Sequence, residues 1–174
     1  MPPSDMMPSP LSAPDSPCAQ APAKLCAAFA MHLPQPELAA LVERMVEALG
    51  LPAGQLSVIA DLPGGVVAGP AWAAVEQPAL RAVCAGEVLG VRQAAQTLDR
   101  DLNARTDLSD LAVAGVLLQR QHGAALQRLA GVFSLISARL DAPQVVIAND
   151  RLGFSPLYYL LRDDLLLVAS EVKA

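Results

Sequence analysis

Hydrophobic positions along this chain fall into runs of two different periods, and the runs predict its elements. From Leu25 to His32 a compact apolar stretch fits a first strand. Pro34 and Pro36 follow, the second well placed for the first turn of a helix. Leu38, Leu41, Val42, Met45 and Leu49 then recur at helical spacing, and Gly50 supplies the stop. Gln55–Asp61 alternates as a strand does and is closed by Pro63-Gly64-Gly65. Leu80–Ala85 is a second short strand. Val91, Ala94, Ala95, Leu98 and Leu102 mark one face of a helix. The polar turn Asn103–Asp110 offers Asp107 or Ser109 as an N-cap for the next helix. Leu111, Ala114, Leu118, Ala125 and Leu129 carry that helix to Gly131.

Beyond Gly131 the period shortens. Val132–Ala138, Gln144–Asn149, Leu157–Leu161 and Leu165–Ser170 are strand candidates. They are separated by Asp141-Ala142-Pro143, Gly153-Phe154-Ser155-Pro156 and Arg162-Asp163-Asp164. Connections this short suit antiparallel meanders, because parallel strands need crossovers of a dozen residues or more. The pattern therefore predicts an α+β domain with helices packed on antiparallel sheet. Periodicity names no function.

Composition narrows the class. Hydrophobic residues make up 53% of 174 and charged residues 17%, enough for a packed core in one domain. The net charge is −5 with Lys and Arg scattered, which argues against nucleic acid or an anionic membrane as partner. Cys18, Cys26 and Cys84 form no CxxC pair, and His32 and His122 stand apart from them. Neither a metal site nor a disulfide framework is expected, and the cytoplasm is the default compartment. No apolar run reaches the 18 or so residues that cross a bilayer. Residues 1–23 hold seven prolines, Asp5 and no basic residue. They read as a disordered Pro-rich leader rather than a signal peptide, with the domain proper over 24–174.

The last third of the chain resembles a known family. Asn149-Asp150-Arg151-Leu152-Gly153-Phe154-Ser155-Pro156-Leu157-Tyr158-Tyr159 is similar to the ARDRLGxKPLYY signature of asparagine-synthetase glutaminase domains. Leu166–Ala174 resembles the FASEIKAL that follows it, and Gly131-Val132-Phe133 the family's G-M-F. Ser109-Asp110 resembles its SD pair, Leu56-Ser57-Val58-Ile59 its RLSIxD strand, and Ala85-Gly86-Glu87-Val88 its NGEIY segment. Leu25-Cys26-Ala27-Ala28-Phe29 is a fainter likeness of the opening MCGIxGF. The motifs keep their order over residues 55–174.

The resemblance implies a class II glutamine amidotransferase fold: an N-terminal-nucleophile hydrolase sandwich, two antiparallel sheets between helical layers. In active members an N-terminal cysteine attacks the glutamine amide and its own α-amine is the base. The Asn-Gly of NGEIY is the oxyanion hole; the Arg of RLSIxD and the Asp of the SD pair hold the substrate's carboxylate and amine. Here Cys26 is the nearest counterpart of the nucleophile, but its nitrogen is locked in a peptide bond. Gln55 stands for the Arg, and a neutral amide cannot replace a forked cation. Ala85 stands for the oxyanion Asn, a loss that typically costs about 10²–10³ in rate. Gly86 and Asp110 are kept, and Glu87 with them. Asp150 and Arg151 are read as supports of a turn.

These residues mark out a remnant glutamine pocket at Gln55, Ala85, Gly86, Glu87 and Asp110, with no catalytic residue unless leader removal exposes Cys26. The resemblance is closest to relatives that lack the cysteine, such as β-lactam synthetases and lasso-peptide cyclases. It implies a non-catalytic glutaminase-like domain supporting an ATP-dependent amide-forming synthetase. ATP and magnesium would be held by an ATP-pyrophosphatase-type domain, on the same or a neighbouring polypeptide. One alternative is a working glutaminase that feeds ammonia to asparagine synthesis after leader removal; another is a stand-alone binding module.

Overall fold

The computed structural model describes residues 24–50, 55–76 and 79–174, with the side chains of residues 60 and 61 left aside. The leader and its expected disorder lie outside them. Among the described residues nine strands form two antiparallel sheets, and the shortness of the connections dictates the pairing. The first sheet orders β2 (Ser57–Leu62), β3 (Gly65–Gly69), β1 (Cys26–Ala30), β9 (Leu165–Ala169) and β8 (Tyr158–Arg162). The second orders β4 (Ala71–Glu76), β5 (Ala79–Leu89), β6 (Ala130–Arg139) and β7 (Val145–Asn149).

Helix α1 (Gln35–Ala48) covers the outer face of the first sheet over β1 and β3. Leu38, Val42 and Met45 are its buried stripe, packed with Cys26, Ala28, Val66 and Ala68. Each such aliphatic side chain contributes about 1.5–3 kcal/mol of burial. On the outer face of the second sheet lie α2 (Val91–Leu98), α3 (Arg100–Asn103), α4 (Asp110–Gln121) and α5 (Gly123–Leu126). Because α4 is wedged between that sheet and α2, Ala112 to Gln119 are all buried. Between the sheets lies a third apolar layer holding Leu25, Ala27, Phe29, Val83, Ala85, Ile136 and Val168. Helices outside and two antiparallel sheets inside make the N-terminal-nucleophile type of sandwich.

Several boundaries differ from the sequence reading. The helix expected from Val91 to Leu102 is two helices, because the Asp99 side chain accepts from the Leu102 amide and caps a fresh start. The helix expected to run to Leu129 breaks at His122, which adopts φ 45°, and α5 follows after one residue. Strands β3 and β4 were not expected at all. β3 is buried on both faces and so shows no alternation, while β4 is alanine-rich, a poor strand signal. The strand expected over Leu80–Ala85 runs on to Leu89, and the first strand stops at Ala30. Ser109, not Asp107, caps α4, accepting from the Ala112 amide at 3.2 Å.

Candidate functional site

One end of the sandwich gathers the start of β1, the end of β3 and the far half of β5. The pairings Leu80↔Arg139 through Ala85↔Ser134 and Gly86↔Phe133 carry β5 past the start of β4, where Ala71 pairs Cys84. Beyond that point Gly86 and Glu87 have β6 on one side only and are exposed. Gly86 has φ +90°, and a Cβ there would sit 2.1 Å from the Val132 carbonyl oxygen. Only glycine fits both constraints. At the same end Gly69 lets the sheets touch, since a Cβ on it would lie 2.2 Å from Val83 and 3.6 Å from Leu25.

Strand alternation decides which side chains face this layer. Leu25 and Ala27 point between the sheets, in the cluster that holds Ala85 and Val83. Cys26 points the other way, under α1 with Leu38, Val42 and Met45. Its thiol is fully buried, and that desolvation pushes its pKa up to about 12. Cys84 points away from Ala85 too, into the layer under α4, and burial raises it likewise to about 12. Both thiols are protonated at neutral pH and so are poor nucleophiles. Leu25 is anchored in the sheet, its amide donating to Ser170 Oγ at 3.1 Å and its carbonyl accepting from the Ser170 amide at 3.0 Å.

The remaining residues of the remnant pocket are dispersed. Ala85 is fully buried and offers only a methyl group; Gly86 and Glu87 follow it on β5. Gln55 is exposed just ahead of β2, in the other sheet. Asp110 opens α4, exposed at the helix start where the dipole favours an acid. Arg92 takes its carboxylate at 2.8 Å and also donates to the carbonyls of Arg105, at 3.1 Å, and Leu108. Among the described residues no hydrogen bond or ion pair joins Gln55, Gly86 and Asp110.

Two residues of consequence were missed from the sequence. Arg92 gave no signal, since its link to Asp110 spans 18 positions. Leu25 could have been found: alternation alone makes it, not Cys26, the side chain of β1 that looks toward Ala85.

Asp150 is a support, as its motif implies. Burial acts to raise its pKa, but the amides of Ser155, Phe154 and Leu152 outweigh it and hold the carboxyl below the usual range. Those amides donate to it at 2.7, 3.1 and 3.0 Å. Ser134 Oγ donates to the Ser155 carbonyl at 2.9 Å, which ties β6 to the turn that leads into β8.

Comparison with known proteins then assigns the domain. The model of a family described as "Glutamine amidotransferase domain" matches residues 69–174, more than half of the chain. The chain belongs to the glutamine amidotransferase domain family. With two antiparallel sheets sandwiched between helices, it is a class II amidotransferase domain. No curated protein matches it. A solved structure of glutamine phosphoribosylpyrophosphate amidotransferase from B. subtilis, complexed with ADP and GMP, is similar at a TM-score of 0.49 and 15% identity. That match covers 84% of this chain but 41% of the other, so the amidotransferase domain spans less than half the length of that protein. No helix among the described residues is long and apolar enough to cross a membrane.

Proposed function

We propose that the amidotransferase domain is a non-catalytic, glutaminase-like part of an ATP-dependent enzyme of the asparagine-synthetase type that forms amide bonds. Ring closure to a peptide or β-lactam is the form of the reaction that needs no ammonia. The observation that carries the reading is the orientation of β1: Cys26 lies under α1, and the layer that holds Ala85 receives Leu25 instead. A class II glutaminase needs three groups at one point: a thiol, a free amine as its base, and donors for the developing oxyanion. Here the thiol faces away, the nitrogen of Cys26 is an amide, and Ala85 has no side-chain donor to give. Gln55 adds no positive charge for a carboxylate.

ATP and magnesium belong, in this reading, to a partner synthetase domain of the ATP-pyrophosphatase type. This domain's part is structural. The working-glutaminase alternative requires cleavage after Leu25. That cut would remove a fully buried side chain and two hydrogen bonds to Ser170. It would also leave Cys26 directed into the α1 layer.

The test is an amide-forming assay with this domain joined to its synthetase domain. ATP consumption and amide formation with an amine substrate, with no gain from added glutamine, is the expected result. Glutamine-driven amide formation would overturn the reading, and a full-length protein with no ATP-dependent activity would favour a stand-alone binding module.

A further inference from the structure

Four strands lie at sheet edges, and β8 differs from the other three. β2 carries a register break between Ile59 and Leu62. β4 buries Ala73 and Val75 on one face, and every side chain of β7 is at least partly buried. Breaks and cover of these kinds keep an edge from pairing with another chain. β8 has neither. All five of its side chains are exposed, which is true of no other strand among the described residues. Tyr158 is 47% exposed, Tyr159 77%, Leu160 57% and Leu161 66%. The single charge of the strand, Arg162, stands at its turn.

The backbone adds a pattern to that surface. A two-residue turn, Asp163-Asp164, joins β8 to β9, so Arg162 and Leu165 close the hairpin as a hydrogen-bonded pair. Asp163 has φ 53°, as such a turn requires. By alternation Leu160 and Tyr158 also bond to β9, whereas the amides and carbonyls of Tyr159 and Leu161 point outward from the sheet. Those groups have no partner among the described residues.

We infer that β8 pairs antiparallel with β8 of a second copy of this chain, about a two-fold axis at Leu160. The outward groups fix the register. Centred on Leu160, Tyr159 of each copy meets Leu161 of the other, and every outward amide finds a carbonyl. A shift of one residue would set outward groups against bonded ones, and a shift of two would shorten the overlap. The side chains match in the same register. Leu160 faces its own copy, Tyr159 faces Leu161, and the Arg162 guanidinium meets the ring of Tyr158, which attracts it. Asp163 falls opposite Leu157, so no like charges meet. The four apolar side chains expose roughly 500 Å² per copy. Two copies together reach about 1,000 Å², the size at which specific interfaces begin. Such a surface makes a weak, concentration-dependent dimer.

Sedimentation velocity on the full chain with Cys18→Ser tests this. The mass should rise from 18.1 kDa towards twice that as the protein is concentrated. Leu160→Lys, which sets like charges opposite each other, should stay monomeric throughout while melting as its parent does. Oxidised glutathione should link Leu160→Cys into a disulfide dimer, because directly opposed residues lie about 4.5–5.5 Å apart at Cβ. Tyr159→Cys, displaced along the strand from its own copy, should not link. A chain that remains monomeric at every concentration would overturn the inference. So would a dimer that Leu160→Lys leaves intact, or one that Tyr159→Cys links and Leu160→Cys does not. Either result leaves the glutaminase reading untouched.

Discussion

The thiol of Cys26 and the methyl group of Ala85 lie in different layers of the sandwich, with the backbone of β1 between them. An attacking sulfur and the group that should steady its oxyanion must share one small volume, roughly 3 Å from a common reacting atom. Alternation along a strand makes that impossible here without turning β1 over. Such a turn would move every buried side chain of the strand to the opposite face.

Cys26 should react slowly with thiol reagents. In a Cys18→Ser background, alkylation of the native chain should proceed only as fast as the fold opens, and rapidly once it is denatured. Because its folded pKa is raised to about 12, burial contributes stability that is complete below the unfolded value near 8.5 and is lost as pH rises from there toward 12. Denaturant midpoints from pH 7 to 10 should therefore fall above about pH 8.5, and less steeply in Cys26→Ala. Fast alkylation of the folded protein would refute the burial.

Gly86→Ala should destabilise the domain by about 2–3 kcal/mol or more. A positive φ costs an alanine about 1–3 kcal/mol, and its Cβ would overlap the Val132 carbonyl at 2.1 Å. Urea unfolding measures the loss. A neutral substitution would mean that β5 and β6 do not pair as described at Phe133.

How much of this was legible in the sequence differs between elements for physical reasons. The helix from Gln35 to Ala48 announced itself because one face is buried and the other wet. The strand β3 did not, since burial on both faces erases alternation. Asp99 split a helix that periodicity ran together, because a cap acts through one side-chain bond that no period records. The motif around Asp150 was readable and proved to be a turn support. The orientation of Cys26 was also within reach. Counting faces from Phe29 back along β1 places Ala27 and Leu25 with it between the sheets and leaves Cys26 outside.

The carboxylate of Asp150 should leave its mark on acid stability. Its folded pKa is depressed by backbone amides, so its contribution is present above the unfolded value near 3.9 and lost as pH falls through the folded one. Asp150→Asn should thus be less stable than the native chain at pH 7, with the gap closing below about pH 4. A gap that stays constant with pH would show that charge is not what the amides bind.

Arg92→Ala should cost more than Asp110→Ala. The exposed ion pair itself is worth about 0–1 kcal/mol, and Asp110 adds to it only its interaction with the helix dipole, about 0.3–1 kcal/mol. Arg92 also satisfies the carbonyls of Arg105 and Leu108, each such bond adding about 1 kcal/mol. Thermal melts of the two variants compare them; equal losses would reduce Arg92 to a surface partner.

Ammonia release from glutamine is the direct measure of the central claim. It should be followed for the full chain, for a form beginning at Cys26, and for Cys26→Ala in each. The account predicts that all four release ammonia at the same background rate. Turnover in either cysteine-containing form that disappears in its Cys26→Ala counterpart would contradict it.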